Sequence, residues 1–428
     1  MNKKDKSRIR CSCFFYMGIL VLFGTGFLMA ETLAAESTHP ESFYGRRIER
    51  IEIRGNARSL DATVLRIAEL EEGRILEKGS IERAALKLEK SSLFAEVDIR
   101  VNSDAGEDRA VKIVISLEEK WTLIPVPFFA SDGESIMGGL VVVEANLLGT
   151  GTQVVAGGMA GNSGLYGFTA LVLPSFLGSP WRLSSSLSGG ETESEIRTPD
   201  NREALTFASR SAGGSFGLAY RITNSITAGF KTTLEQHEIR DTQGFEGNMG
   251  ESIIGLSLLF NYDGTVPYGS LRKGVMFLSE AAYLFGYPGP SLDAQLLYNI
   301  PSFAEGRIRL FALGGYGNRP IVAEKSISGQ DGFRTLPFGK VSADDYWSLA
   351  AAYEWPVLTR NWGALVFNTF FEQGWYRSSE VGSFFFCGPG AGFRMYMKKI
   401  ALPALGLDIA YNLLEDRTVF SVAVGMRR

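Results

Sequence analysis

At 428 residues, with 49 glycines, 29 phenylalanines and only 21% of positions charged, the chain is too apolar and too aromatic for a disordered protein. Beyond its N-terminal stretch it has no continuous apolar run of about 18 residues or more, which excludes a bundle of membrane helices and leaves a β-rich protein. A net charge of −4 argues against nucleic acid as a partner.

In chain order, Lys3, Lys4, Lys6, Arg8 and Arg10 precede the apolar stretch Phe14 to Met29, and the small residues Ala34 and Ala35 follow it. This is the pattern of a secretory signal over residues 1–35, with a retained anchor helix as the alternative. Its removal takes away five basic and two acidic side chains and moves the net charge from −4 to −7. Cys11 and Cys13 lie before the apolar stretch, where a lipoprotein cysteine would follow it. Only Cys387 then remains, so a disulfide framework within one mature chain is excluded. Two histidines, His39 and His237, leave no material for a His-rich metal site.

Residues 36–46 read as a linker, and residues 47–120 alternate between strand and helix signals. Ile51 and Ile53 alternate with Glu52 and Arg54 and stop at the turn pair Gly55-Asn56. Ser59 is placed to cap a helix carrying Val64 and Ile67, and Ser80 to cap a second with Ile81, Ala84, Ala85 and Leu88 inward. Val97, Ile99 and Val101 then form one apolar strand face and Val111, Ile113, Ile115 and Leu117 another, joined by a polar turn from Asp104 to Asp108. The order is strand, helix, helix, strand, strand. With Gly55-Asn56, Gly73 after the first helix, and Leu86 through Ser92-Leu93-Phe94, this segment resembles a POTRA domain; an unrelated small α+β module is the alternative.

After Trp121 the helical period disappears, and segments of about ten alternating residues recur between Gly, Asp, Asn and Pro clusters, as in a transmembrane barrel. In Ile226 to Glu235, residues Ile226, Ala228, Phe230 and Leu234 are expected to face lipid and Thr227, Lys231, Thr233 and Glu235 the lumen. Trp347, Leu349, Tyr353 and Trp355 put aromatics near both ends of one face, the girdle pattern. An open sheet in lipid would strand its edge N–H and C=O groups, so the strands must close. Turn signals divide residues 121–428 into roughly sixteen strands, an even number in the range for such barrels. The predicted class is thus mainly β, a transmembrane antiparallel barrel preceded by one small α+β domain, with a soluble sandwich as the alternative.

Four motifs in the barrel region resemble the outer-membrane assembly-factor superfamily of BamA and TamA, also known as the bacterial surface antigen family. Glu144-Ala145-Asn146-Leu147-Leu148-Gly149-Thr150-Gly151 is similar to its acidic-x-Asn-Leu-aromatic-Gly-x-Gly hairpin. The long polar segment of about 318–345, with Gly332, Phe333, Arg334, Pro337 and Gly339 around its tip, is similar to its inward-folded loop. There Thr335 stands where Gly is usual, and Leu336 where an aromatic is. Phe371-Glu372-Gln373-Gly374-Trp375 resembles the Phe-x-Asp-x-Gly strand with Glu for Asp, and Gly390-Ala391-Gly392-Phe393-Arg394 the strand after it. The last strand departs from the family by ending Met426-Arg427-Arg428 rather than on an aromatic.

The resemblance implies an outer-membrane protein with its N-terminal domain in the periplasm, inserting barrels or moving proteins across the membrane by strand addition at the domain's edge and the barrel seam. Its implied partners are outer-membrane lipid, unfolded outer-membrane or secreted clients and periplasmic accessory proteins; no cofactor is implied. It also pairs Arg334 with Glu372 inside the lumen as a lock on the long loop; Glu354, inward by alternation, is the competing carboxylate. A passive pore or structural barrel without clients is the alternative function. A barrel phospholipase is the remote one, because Gly213-Gly214-Ser215-Phe216-Gly217 matches the nucleophile-elbow expression, although that motif needs a strand turning into a helix.

Overall fold

The computed structural model describes residues 43–103, 110–131, 136–162, 164–197, 204–243, 250–287, 289–317, 319, 325–327, 331–336, 341–378, 382–400 and 405–424. The expected leader and most of the linker, the turn 104–109, and Pro337 and Gly339 lie outside these residues. Phe43 and Tyr44, expected in the linker, pack against the core of the first domain.

That domain has the expected order: β1 (Arg47–Arg54), α1 (Asp61–Ala68), α2 (Ser80–Lys90), β2 (Phe94–Ser103) and β3 (Ala110–Glu119). The sheet order is β1-β3-β2, with β1 parallel and β2 antiparallel to β3. Val97, Ile99 and Val101 pair with Leu117, Ile115 and Ile113, which places one apolar face of the sheet against Val64, Ala84 and Leu88 of the helices. Gly55 has φ +85°, and a Cβ there would lie 1.9 Å from the Leu117 carbonyl oxygen, so only glycine turns the chain at this point. Asn56 donates to the Ser59 carbonyl and to Asp61, Gly73 also has positive φ, and Leu93 and Phe94 are buried in the core. The capping expectations fail: Leu60 precedes α1 and Gly79 precedes α2, neither with a side-chain cap. The Ser59 hydroxyl is engaged instead by the barrel, and the Ser80 hydroxyl donates back to the Glu77 carbonyl.

The edge of β1 is partly covered, since Ile48 N–H donates to Arg74 O, Leu76 N–H to Arg46 O, and Ile51 N–H to the Glu72 carboxylate. No described strand lies along the outer edge of β2.

The remaining strands close into a barrel: β4 (Leu123–Ser131), β5 (Ile136–Leu147), β6 (Thr152–Gly161), β7 (Gly164–Leu173), β8 (Trp181–Arg197), β9 (Ala204–Arg221), β10 (Ile226–Gln243), β11 (Gly250–Asp263), β12 (Val266–Tyr268), β13 (Leu271–Leu284), β14 (Pro290–Pro301), β15 (Arg307–Tyr316), β18 (Asp345–Arg360), β19 (Gly363–Ser378), β20 (Gly382–Met397), β21 (Leu405–Asn412) and β22 (Arg417–Val424). A two-stranded ribbon of β16 (Lys325–Ser326) and β17 (Ser342–Ala343) lies in the long loop. Because β12 is a three-residue continuation that pairs on the end of β13, sixteen long strands make up the wall.

The period-2 reading of the faces holds in detail. Phe230 and Leu234 are exposed on the outer surface, as are Leu187, Phe216, Leu258 and Phe420, while Lys231 pairs inward with Glu280 at 2.6 Å. Trp181, Tyr220, Trp355 and Trp362 ring the end next to the small domain, and Tyr283, Tyr316 and Phe385 the other. An apolar outer face between two aromatic rings is the surface of a membrane-spanning barrel. Among the described residues no helix is long and apolar enough to cross a membrane.

Candidate functional site

Three places in the barrel gather polar or exceptional backbone chemistry: the lumen beneath the long loop, the hairpin that meets the small domain, and the seam where the barrel closes. The long loop runs between β15 and β18 at the end opposite the small domain and brings residues 331–336 back into the lumen. Gly332 has φ +89°, and a Cβ there would press on Ser348 and the Phe311 ring. Phe333 is buried against Tyr346 and Phe386. Arg334 lies against Glu372, Nε to Oε2 at 3.4 Å, and against Asp408, Nη1 to Oδ2 also at 3.4 Å. Its guanidinium stacks 3.3 Å from the centre of the Phe370 ring. The tighter contact of Glu372 is with the backbone, as the Thr335 N–H donates to Oε1 at 2.6 Å.

The glycines of β20 explain why the loop fits. Gly388, Gly390 and Gly392 face inward, and a Cβ at Gly390 would lie 2.1 Å from the Phe370 ring that supports Arg334. A Cβ at Gly388 would be 1.8 Å from the Tyr411 carbonyl oxygen and 3.2 Å from the Thr335 methyl. Thr335 keeps ordinary negative φ and sets its methyl group in the space that Gly388 leaves.

Glu354 does not compete for Arg334. It takes Arg307 at 2.6 Å, Arg394 at 3.3 Å and Arg309 at 3.6 Å. Arg394 also reaches Asp408 at 3.0 Å, and Arg309 reaches Asp331 at 2.8 Å. Four guanidiniums and four carboxylates thus share one cluster in equal numbers, all buried except the partly exposed Asp331. Asp331, Asp408, Arg307 and Arg309 carry no motif. Asp408 was nonetheless findable, because in Leu405-Gly406-Leu407-Asp408-Ile409 it is the charged residue on the face opposite Leu407 and Ile409.

The hairpin motif does more than turn the chain. Asn146 Nδ2 donates to Ser59 Oγ at 2.9 Å, and its Oδ1 accepts from Gly151 N–H at 2.8 Å, while Glu144 accepts from Asn146 N–H. Leu60 N–H donates to Gly149 O, and Arg66 to Thr150 O. A Cβ on Gly149 would meet the Arg58 carbonyl oxygen at 2.3 Å, so this glycine admits the backbone of the small domain. Lys399, on the β20–β21 turn, pairs with Glu118 from the other side.

At the seam, β22 adjoins β4. The Thr122 carbonyl accepts from Ala145 N–H, and Trp121 N–H donates the opposite way, to Lys399 O. Backbone groups alternate along a strand, so in β4 the even positions bond β5 and the odd positions face β22. Two of those odd positions are Pro125 and Pro127, which have no N–H to give. The seam strands are also short, nine residues in β4 and eight in β22, against 16 in each of β18, β19 and β20.

Ser215 lies in the interior of β9, paired opposite Ser186 and Thr233, with its hydroxyl 2.8 Å from that of Ser186. His237 contacts Glu235 instead. The strand-to-helix turn that an elbow serine needs is not present at this position.

A sixteen-stranded membrane barrel whose long loop folds into a charged lumen and whose N-terminal α+β domain rests on the opposite rim is the class defined by this structure. No protein-family model matches the sequence, and no curated protein matches it by sequence. In three dimensions the chain is similar to CdiB from Escherichia coli (TM-score 0.64, 14% identity, covering 89% of this chain and 76% of that one). It is similar to CdiB from Acinetobacter baumannii as well (TM-score 0.59, 14% identity, 89% and 73%). BamA from Haemophilus ducreyi lacking POTRA domains 1–3 also matches (TM-score 0.53, 13% identity, 88% and 85%). The chain therefore has the BamA and CdiB barrel fold, in agreement with the resemblance read from its motifs.

Proposed function

We propose that this protein resides in the outer membrane and inserts other barrel proteins or moves proteins across the membrane, with the small domain acting as a single POTRA in the periplasm. The observation that carries this reading is the seam: two prolines on the β22 side of β4 remove two donors where two short strands of the wall meet. A seam deprived of bonds opens at lower cost than a fully bonded strand pair of the same length. The same prolines make the edge of β4 a poor template, so an entering client strand pairs better along β22 and, in the periplasm, along the outer edge of β2. Backbone pairing and burial in lipid drive the process, without a catalytic step or a cofactor.

The test is a Pro125→Ala/Pro127→Ala variant beside a deletion strain. Each restored N–H is worth about 1 kcal/mol net in water and more where lipid leaves its acceptor unpaired. Against that, each lost proline costs about 0.4–1 kcal/mol through the unfolded chain. The bonds win, so slower amide exchange in β22 is expected together with reduced client delivery. In outer-membrane proteomes, the deletion should deplete selected barrels or one surface protein, and the double variant should do so partially. Loss of small-solute permeability alone, with an unchanged proteome, favours the passive pore.

A further inference from the structure

Between the helices of the small domain and the barrel turns around Pro174 and Asn224 lies a cleft of about 300 Å³. It is lined by Arg66, Arg83, Lys87, Lys90 and Arg221, and by no carboxylate. Two of these cations are occupied: Lys87 pairs with Glu69, and Arg83 approaches Glu77 at 3.7 Å where both are exposed. Arg66, Lys90 and Arg221 make no ion pair among the described residues. Arg66 is held by a neutral acceptor, its Nη2 donating to the Thr150 carbonyl at 2.9 Å, so it is fixed in place without being neutralised.

Like charges gathered in a partly desolvated cleft are costly unless an anion joins them. Burial pulls the Arg66 guanidinium below its ordinary range and the nearby Arg221 lowers it further. Burial does the same to the Lys90 ammonium, an effect that Asp263 opposes and Arg272 reinforces.

The surroundings indicate the source of the anion. Pro174, in the cleft wall, leads directly into Phe176 and Leu177, and Leu177 is 88% exposed. Arg221 follows Tyr220, whose ring meets Trp181 edge-on at 4.9 Å in the aromatic ring at this end of the barrel. Ile222, next in sequence, is likewise exposed. A basic cleft opening at the level of an aromatic girdle, beside side chains suited to acyl chains, has the layout of a lipid headgroup site.

We propose that this cleft binds the phosphate of an anionic glycerophospholipid in the leaflet facing the small domain. The guanidiniums of Arg66 and Arg221 hold the phosphate oxygens, Lys90 completes the charge, and the acyl chains lie along Leu177 and Ile222. About 300 Å³ is the lower end of ligand pockets, so a headgroup fits while the tails remain outside. The bound lipid would bridge the domain and the barrel rim. This rests on the barrel spanning a membrane and is independent of any client.

The experiment uses the full-length protein in detergent, titrated with phosphatidylglycerol and followed by native mass spectrometry. Each basic residue near a membrane surface contributes about fivefold in affinity, so Arg66→Gln/Lys90→Gln/Arg221→Gln should weaken binding roughly 100-fold and Lys90→Gln alone about fivefold. Lys90→Gln makes no demand on barrel contacts and keeps the test valid if the triple variant does not fold. Arg74→Gln/Arg100→Gln, on exposed parts of the same domain, should have no effect. Unchanged phosphatidylglycerol binding in the substituted proteins overturns the proposal. So does inorganic phosphate or glycerol phosphate binding as tightly as the lipid and displacing it, since the site would then serve a soluble anion.

Discussion

Replacing Glu354 with alanine is expected to cost about 3–5 kcal/mol of barrel stability, the range for removing one partner of a buried ion pair. Glu354 is fully buried, and so are Arg307 and Arg394, two of the three guanidiniums it serves. Its loss leaves four buried guanidiniums with three carboxylates, an uncompensated positive charge in a buried cluster. Glu354→Gln separates charge from shape. A neutral isostere that fills the same space should be nearly as harmful as alanine if charge balance dominates, and close to wild type if the side chain matters only as filler. The readout is the temperature at which the heat-resistant barrel form disappears on a denaturing gel, compared at one heating rate because such unfolding is irreversible. A Gln variant as stable as wild type would count against the charge cluster as the lumen's organising element.

Replacing Glu372 with alanine should release the long loop while affecting the barrel less. Two interactions go with it: the Thr335 N–H loses its acceptor, and Arg334 loses one of its three carboxylates, keeping Asp408 and the more distant Asp331. Leaving a buried N–H unsatisfied costs about 1–3 kcal/mol. Arg334 keeps Asp408 and the Phe370 ring, so the arginine itself is not stranded. We therefore propose that the lock on the loop tip is the Glu372 carboxylate holding the backbone of Thr335, with Arg334 shared among Glu372, Asp408 and Asp331. Arg334→Ala and Glu372→Ala should then show a coupling of only about 0.5–1 kcal/mol in a double-mutant cycle, and Glu372→Ala should make the loop far easier to cut with protease than Arg334→Ala does. Equal cutting of every variant and of the wild type would falsify the lock.

Strand existence, number and facing are legible in the sequence, because a side-chain period of two assigns each residue to lipid or lumen from its neighbours alone. Phe230 outward, Lys231 inward and Glu372 inward all follow from that count. The order of the small domain was legible for the same reason, through the switch from alternation to helical spacing and the turn at Gly55-Asn56. Alternation, however, names a face and not a partner. Glu354 and Glu372 read alike in sequence, and only the height of each on its strand and the depth of the loop tip send Arg334 to Glu372 and Asp408 while giving Glu354 to Arg307, Arg309 and Arg394. Ser59 looked like a helix cap because local spacing cannot show that a hairpin 87 residues further on claims its hydroxyl. Pro125 and Pro127 are visible in the sequence as two residues without N–H groups. Which neighbour loses those donors depends on the direction of the backbone at Thr122 and on the closing of the wall, and that is decided only when sixteen strands meet around one axis.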